Sequence, residues 1–182
     1  MKKMQDDILK VLLSEQQIKE KVDEIGRQIT EYYQDKNLLM VSVLKGSVVF
    51  MADLMRAVDC PARIDFMSVS SYGSSTRTSG VVKIIKDLDL NLEGYDLLLV
   101  EDILDSGKTL YYLREILQRR NPSSIRIATL LNKPARRQAD IVPDYSCFEV
   151  PDEFVVGYGL DYDEKYRNLP YIGVLKPAVY TK

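Results

Sequence analysis

The stretch DLLLVEDILDSGKTLYYLREILQRR, residues 96–120, decides the fold of this chain. Residues 96–100 form a short, mostly apolar run with the length of a buried strand. A tight turn follows, and residues from Ser106 to about Arg119 predict a helix. In an open parallel sheet, ligands bind beyond the carboxyl ends of the strands. The stretch therefore predicts one strand–turn–helix unit of such a sheet, with a ligand site at its turn.

Further strands and helices alternate on both sides of this unit. Ser14 and Gln17 fit a capping box at the start of the first predicted helix. The predicted helices are 14–33 and 48–57, and the predicted strands are 38–44, 64–70, 81–85, 125–131 and shorter ones at Phe148, 155–156 and 172–175. This alternation predicts an α/β fold, a mainly parallel sheet with helices on both faces. Because no linker interrupts the 182 residues, we expect a single domain over 1–182.

The composition argues against several partners. The formal net charge is −2, so long-range attraction to nucleic acid or to an anionic membrane is not expected. No apolar run approaches the roughly 20 residues of a membrane span. The first residues turn acidic where a signal peptide would turn apolar, so we expect a cytoplasmic protein.

The chain has no histidine, which excludes Ser-His-Asp and Cys-His mechanisms and most zinc chemistry. Acid–base work must fall to Asp, Glu, Lys or Tyr. A metal site would be built from oxygen ligands, which favours magnesium or a similar hard ion. Cys60 and Cys147, the two cysteines, are expected to be free thiols.

The turn after the predicted strand has the make-up of a phosphate cradle. Residues 105–109 offer a glycine for close backbone approach, two hydroxyl groups and the N–H groups of a helix N-terminus. A Walker A loop would need a glycine where Asp102 stands. A dinucleotide fingerprint starting at Gly157 and Gly159 would need its third glycine at Tyr162.

Three carboxylates, Glu101, Asp102 and Asp105, crowd this cradle. Like charges beside a phosphate are unfavourable unless something cationic lies between them. A magnesium ion would serve, and so would a sugar whose anomeric carbon becomes positive in the transition state. The plain alternative is a helix N-terminus decorated with favourable acids.

The run VEDILDSGKT, residues 100–109, closely resembles the phosphoribosyl pyrophosphate signature of type I phosphoribosyltransferases. From the first helix to nearly the C-terminus, the chain resembles the hypoxanthine-guanine branch of that family. The family often has Thr where this chain has Ser106, and both supply a hydroxyl. The resemblance implies the type I fold, a twisted sheet with a small hood region and a flexible lid loop.

The resemblance also implies roles at the sugar and the phosphate. Glu101 and Asp102 would hold the ribose hydroxyls, and Asp105 would be the catalytic group that handles the proton on the purine's imidazole ring. The 5′-phosphate would be bound by Asp105, Ser106, Gly107, Lys108 and Thr109. Magnesium would be held at Glu101, Asp102 and Asp161. Taken alone, the turn would remain compatible with a favourably capped helix.

Pyrophosphate and base contacts are implied in the same way. Lys45, Gly46 and Arg167 would bind pyrophosphate. In the base pocket Lys133 would donate to a 6-oxo group, Phe154 would stack on the purine, Val155 would offer backbone groups, and Asp161 would face a magnesium-bound pyrophosphate beside the base. Ser71 and Tyr72 would begin the lid, which runs to residue 80. Each motif alone has a plainer interpretation: a turn with an exposed lysine, a packed core phenylalanine, a solvated charged loop or a connecting hairpin.

The implied reaction joins a 6-oxopurine to the ribose 5-phosphate of phosphoribosyl pyrophosphate through a ribosyl-cation-like transition state. The products would be inosine or guanosine 5′-monophosphate (IMP or GMP) and pyrophosphate. Lys133 can only donate hydrogen bonds, so adenine should be rejected, while hypoxanthine, guanine and xanthine are not ranked. The family often forms dimers or tetramers, so we expect a homodimer or homotetramer with no nucleic-acid or membrane partner.

Three other functions remain as alternatives. A phosphoribosyltransferase-like regulator could bind the sugar donor and control gene expression, but it should carry a basic face or an added DNA-binding domain. An enzyme for a pyrimidine or another purine is a second alternative. A nucleotide-dependent kinase is the third, and the failed Walker A match argues against it.

Overall fold

The computed structural model describes residues 3–71 and 82–181. Its strands are β1 (Ile8–Leu13), β2 (Leu38–Leu44), β3 (Ala62–Ser71), β4 (Val82–Lys86), β5 (Asp96–Leu104), β6 (Ser124–Asn132), β7 (Tyr145–Glu149), β8 (Val155–Val156) and β9 (Ile172–Leu175). Its helices are α1 (Glu15–Tyr33), α2 (Val48–Ala57), α3 (Lys108–Gln118) and α4 (Pro177–Tyr180), with 3₁₀ turns at Met4–Asp7 and Pro134–Arg136. Of the described helices, none is long and apolar enough to cross a membrane.

The larger sheet has six strands in the order β4-β3-β2-β5-β6-β7. Every neighbouring pair is parallel except β3 and β4, which are antiparallel. The chain moves outward in one direction from β2 to β3 and in the other from β5 to β7, so the order reverses between β2 and β5. In such sheets the crevice beyond the carboxyl ends at the reversal point is where ligands bind. The predicted mainly parallel α/β fold is confirmed.

The sheet is buried on both faces, which is why its central strands are almost continuously apolar. In β2, Leu38 and Met40 join the core beneath α1 and α2, whereas Leu39 and Val41 join the core beneath α3. The predicted apolar stripe of α1 is buried, from Ile18 to Tyr33. Its capping box is also confirmed, because the Gln17 amide N–H donates to Ser14 Oγ at 3.3 Å and the Ser14 amide N–H donates to Gln17 Oε1 at 2.9 Å.

A second, antiparallel sheet has the order β1-β9-β8, and we call it the hood. Its first strand, β1, was not predicted. Leu9 and Val11 are exposed in it and Leu13 is buried, so its short sequence carries little of the alternation that marks a strand. It forms because β9, from the other end of the chain, supplies its hydrogen-bonding partner.

Two predicted boundaries at the central turn were wrong. Strand β5 continues past residue 100 to Leu104, because β6 keeps pairing with it as far as Leu104 and Asn132. Glu101 and Asp102 therefore belong to the strand, not to the turn. Helix α3 begins at Lys108 rather than Ser106, because Gly107 is its N-cap residue in a left-handed conformation with φ of 79°. Cys60 and Cys147 are free thiols, as expected.

Candidate active site

The site lies where β2, β5 and β6 end, beside the hood. After β2, the Leu44–Lys45 peptide bond is cis. A Cβ atom at Gly46 would overlap the Asp102 carboxylate, and a Cβ atom at Gly159 would overlap the Gly46 carbonyl oxygen. The loop after β2 is therefore wedged between the end of β5 and the loop that follows β8. Only glycine at these two positions permits so close an approach.

The loop of residues 105–109 is anchored from beneath by Arg137. Its guanidinium donates to the carbonyl oxygens of Leu104 and Asp105, each at 3.1 Å, to the Asn132 side chain at 2.5 Å and to the Ile141 carbonyl. The Ser106 carbonyl accepts from two further backbone N–H groups, at 2.9 and 3.1 Å. These anchoring contacts take carbonyl groups of the loop, whereas a phosphate would be bound by its N–H groups and hydroxyls. Burial lowers the pKa of Arg137, the energetic cost of placing a cation there.

The two acids of β5 lie where burial disfavours their charged forms. The pKa of Glu101 is raised mainly by burial and secondly by the negative charge of the nearby Asp102. Burial raises the pKa of Asp102 to about 6, although its Oδ1 accepts from the Ile103 amide at 2.7 Å. Two partly buried carboxylates whose ionised forms are disfavoured fit a site that receives a positive group.

The three predicted metal ligands do not meet as one group. Asp161 is turned to Arg167, with 2.9 Å between its Oδ1 and the arginine Nη2. Among the described residues, no cluster of three or more acidic, His or Cys side chains could hold a metal alone. Glu101 and Asp102 still fit magnesium, because this ion keeps several waters and is commonly bound by one or two carboxylates plus substrate phosphates.

Asp105 follows directly after β5, in the loop of residues 105–109. Its Oδ1 is 3.1 Å from Arg136 Nε in an ion pair that lacks hydrogen-bond geometry. Arg136 also contacts Asp152, at 3.2 Å, and its side chain is half exposed. The Oδ1 atom of Asp105 is buried without a hydrogen-bond partner and is therefore available to a donor on a ligand.

Lys133 is not the exposed turn lysine of the plainer interpretation, since only 5% of it is accessible. Its ammonium group donates to the Glu153 carbonyl at 2.6 Å and lies 3.8 Å from Asp152. An ammonium has three N–H donors, so this contact leaves donors for a ligand. The neighbouring Phe154 is 39% exposed, which also removes the packed-core interpretation.

Aromatic rings hold Phe154 from one side. Tyr180 in α4 stacks on it with 4.8 Å between centroids, and Tyr162 contacts it edge-on at 5.6 Å. Val155, in β8, is buried and pairs with Val174. Tyr180 gave no signal in the sequence, because its contact with Phe154 depends on the hood and on α4.

The two predicted pyrophosphate-binding cations lie at one place. Arg167 donates to the Gly159 carbonyl at 2.8 Å and is paired with Asp161. Glu164 joins it to Lys45, with 3.0 Å to Lys45 Nζ and 3.4 Å to Arg167 Nη2. Glu164 was not singled out in the sequence, where it is one acid in a charged run. Ser71 ends β3 opposite Val82, and Tyr72 with the rest of the predicted lid lies outside the described residues.

The chain matches the family model described as "Phosphoribosyl transferase domain" over residues 9–163. It therefore belongs to the phosphoribosyltransferase family. It is 60% identical to the hypoxanthine-guanine phosphoribosyltransferase of Bacillus subtilis, over 97% of this chain and 98% of that protein. It is 54% identical to the Streptococcus thermophilus protein of the same name, over 98% and 99%. The hypoxanthine phosphoribosyltransferase of Staphylococcus aureus superposes with a TM-score of 0.96 at 52% identity, covering 98% of this chain and 97% of that one.

Proposed function

We propose that this protein is a hypoxanthine-guanine phosphoribosyltransferase of purine salvage. It transfers the 5-phosphoribosyl group of phosphoribosyl pyrophosphate to a 6-oxopurine and releases IMP or GMP together with pyrophosphate. The observation that carries the proposal is the buried ammonium of Lys133 next to the half-exposed ring of Phe154, beside the ends of β5 and β6. The names of the similar proteins support the same function.

The base pocket selects by hydrogen-bond polarity. Lys133 can donate and cannot accept, and the 6-oxo group of hypoxanthine, guanine or xanthine is an acceptor. The 6-amino group of adenine presents donors, so adenine leaves a buried ammonium facing N–H groups. Phe154 stacks on the purine with the face that Tyr180 does not cover, and the backbone of Val155 binds the base edge. Asp161 stands beside this edge and faces the pyrophosphate.

The sugar lies between the acids and the loop. Residues 105–109 bind the 5′-phosphate, and Glu101 and Asp102 bind the ribose hydroxyls. As the bond from the anomeric carbon to pyrophosphate breaks, positive charge develops beside these two carboxylates, which stabilise it. A ring nitrogen of the base forms the new bond to that carbon. The proton that the imidazole ring loses passes to the carboxylate of Asp105.

Pyrophosphate leaves with the electron pair of the broken carbon–oxygen bond. It is held by Lys45, the backbone at Gly46, and Arg167. Glu101 and Asp102, with Asp161 nearby, would hold Mg²⁺. When bound, this ion supplies positive charge to the leaving group. Ser71 and Tyr72 begin a lid that keeps water from the activated ribose.

The protein acts in the cytoplasm as a homodimer or homotetramer, without a nucleic-acid or membrane partner. The alternative of a regulator that binds the sugar donor and controls gene expression is not supported, because the similar proteins are named as phosphoribosyltransferases.

The test is pyrophosphate release from phosphoribosyl pyrophosphate, measured with hypoxanthine, guanine, xanthine, adenine and uracil, with and without Mg²⁺. We expect release with hypoxanthine and guanine that depends on Mg²⁺ and little release with adenine or uracil. Comparable kcat/KM for adenine would overturn the proposed base selection. No release with any base would overturn the proposed function.

A further inference from the structure

We propose that Glu164 is a built-in counter-anion of the pyrophosphate subsite. Without ligand its carboxylate bridges Lys45 and Arg167, and a bound pyrophosphate must displace it from both. The residue thereby weakens pyrophosphate binding and favours its release. The inference rests on the proposed function, since that function makes these two cations the pyrophosphate ligands.

The bridge joins two elements far apart in sequence. Lys45 follows β2, and its Nζ is 3.0 Å from Glu164 Oε2. The other carboxylate oxygen, Oε1, is 3.4 Å from Arg167 Nη2. One anion thus engages two cations through two separate oxygens, as neighbouring oxygens of a pyrophosphate would. Glu164 occupies the contacts that the ligand needs.

Arg167 is fixed by contacts that do not involve Glu164. Its Nη1 donates to the Gly159 carbonyl at 2.8 Å, and its Nη2 is 2.9 Å from Asp161. Lys45 and Glu164 are the exposed members of the group, with side chains that are 67% and 66% accessible. Exposed ion pairs contribute little stability, so the carboxylate can leave at small cost while the arginine stays in place.

The backbone aims Glu164 at the cations. Asp163 and Glu164 have φ of 54° and 58°, in the left-handed region that residues with a side chain rarely adopt. The Glu164 N–H donates to Asp161 Oδ2 at 2.9 Å, which closes this tight turn. Backbone conformations of this kind tend to occur at ligand-binding segments, where surrounding contacts hold them.

Without ligand, the two cations of the pyrophosphate subsite are paired with acids of the chain itself. Two cations, Lys45 and Arg167, face two anions, Asp161 and Glu164. A pyrophosphate that entered while Glu164 stayed would meet a like charge within a few ångströms, which is unfavourable. Removing the charge of Glu164 should therefore strengthen pyrophosphate binding.

The test compares Glu164→Gln with Asp163→Asn by calorimetric titration of sodium pyrophosphate in the presence of Mg²⁺. Asp163 is the neighbouring exposed acid, and its carboxylate lies 2.8 Å from Lys165. Both variants lose one negative charge in the same turn, so their difference isolates the bridging contact. We expect Glu164→Gln to bind pyrophosphate about two- to fivefold more tightly than Asp163→Asn, the scale of one exposed ion pair. Equal or weaker binding by Glu164→Gln would overturn the proposal.

A second measurement tests the bridge itself. In a Lys45→Met background, Glu164→Gln should give a clearly smaller gain, because one of the two bridged cations is already gone. An undiminished gain would show that Glu164 acts on pyrophosphate through the general field and would also overturn the bridge. Thermal melting of each variant checks that folding is retained.

Failure of this inference can be told from failure of the proposed function. Pyrophosphate binding is measured without base, whereas the function is measured as base-dependent turnover by the unaltered protein. Turnover with hypoxanthine and no gain in Glu164→Gln rejects the counter-anion alone. A gain in Glu164→Gln without turnover on any base rejects the function and leaves an anion site gated by Glu164.

Discussion

Asp105 is fixed at its backbone and loosely held at its side chain. Arg137 takes its carbonyl oxygen, while its carboxylate has the half-exposed Arg136 at 3.1 Å. A group that must accept a proton and later return it needs this combination. Its position has to be constant, and its charge must not be locked into a buried ion pair.

Replacing Asp105 by Asn should lower kcat by about a hundred- to ten-thousand-fold, the usual contribution of positioned proton transfer. Affinity for phosphoribosyl pyrophosphate should change little, because the loop binds phosphate with N–H groups and hydroxyls. Steady-state kinetics and donor titration give both quantities. The matched control is Asp152→Asn, because Asp152 also pairs with Arg136. This variant should keep most of the kcat of the unaltered protein. Near-normal kcat in Asp105→Asn would remove Asp105 as proton acceptor.

Lys133 determines the preference for oxopurines. Lys133→Met should strongly lower kcat/KM for hypoxanthine and change the KM for the sugar donor less. The ratio of kcat/KM for hypoxanthine to kcat/KM for adenine should therefore fall. The substitution should also cost about 1–3 kcal/mol of stability, because the Glu153 carbonyl loses its donor. The control is Lys10→Met, which removes the exposed ammonium 2.7 Å from the Glu153 carboxylate and should leave base preference unchanged. An unaltered hypoxanthine-to-adenine ratio in Lys133→Met would argue against the proposed contact.

The acids of β5 could be picked out from sequence because carboxylates crowded beside a run typical of a phosphate loop are unfavourable unless a positive group lies between them. Lys133 had no such signal, since its burial depends on a carbonyl group 20 residues away in the chain. The same holds for Arg137, which looks like one more surface arginine until the loops after β5 and β6 are brought together. Contacts set by tertiary structure leave little trace in local sequence.

At the scale of elements, α1 and α2 approach each other at a glycine. A Cβ atom on Gly26 would lie 2.6 Å from both the Cβ and the carbonyl oxygen of Ala57, the last residue of α2. Glycine normally destabilises a helix interior, and here the close packing of the two helices offsets that cost. The spacing of the two helices at this point depends on it.

Gly26→Ala should therefore destabilise the protein by about 1–3 kcal/mol, the usual cost of overpacking, although alanine favours a helix. Chemical denaturation monitored by circular dichroism measures the change. Arg27→Ala, at the exposed neighbouring position of the same helix, should stay close to the unaltered protein. A stabilised Gly26→Ala would mean that the helices separate without cost.

The elements that sequence predicted well are those whose signal is local. Helix α1 carries its own capping box and apolar stripe, and β2 is a complete apolar run. The end of β5 and the whole of β1 were missed because their pairing is non-local. Ile103 faces Leu131 across the sheet, and β1 takes its partner from the far end of the chain.

At the scale of the whole molecule, the sheet and the hood meet around two acids with raised pKa values. The pKa of Asp102 rises from 3.8 to about 6, mainly through burial. Between about pH 4 and pH 6 the folded protein holds a proton there that the unfolded chain has released. The free energy of unfolding therefore falls as pH rises through this window.

Asp102→Asn should remove the share of this dependence that belongs to Asp102 and leave the share of Glu101, whose pKa is also raised by burial. We expect it to be more stable than the unaltered protein at pH 7, by at most about 3 kcal/mol, with the difference vanishing near pH 4. Thermal melting from pH 4 to pH 8 without divalent ions measures the difference between the two proteins. Adding Mg²⁺ with phosphoribosyl pyrophosphate should reduce the advantage at pH 7, because it stabilises the carboxylate. Melting temperatures that change in parallel with pH in the two proteins would show that the pKa of Asp102 is not raised in the folded protein.

The strand order of the hood has a consequence for folding during synthesis. Strand β1 is translated early, yet the strand that pairs with it, β9, is made after all six strands of the larger sheet. A nascent chain can assemble that sheet and the loop of residues 105–109 before β9 is available to pair with β1. Phe154 and β8 follow the last of those strands, and β9 completes their sheet. During synthesis the loop for the sugar phosphate can thus form before β8 and Phe154 complete the base pocket.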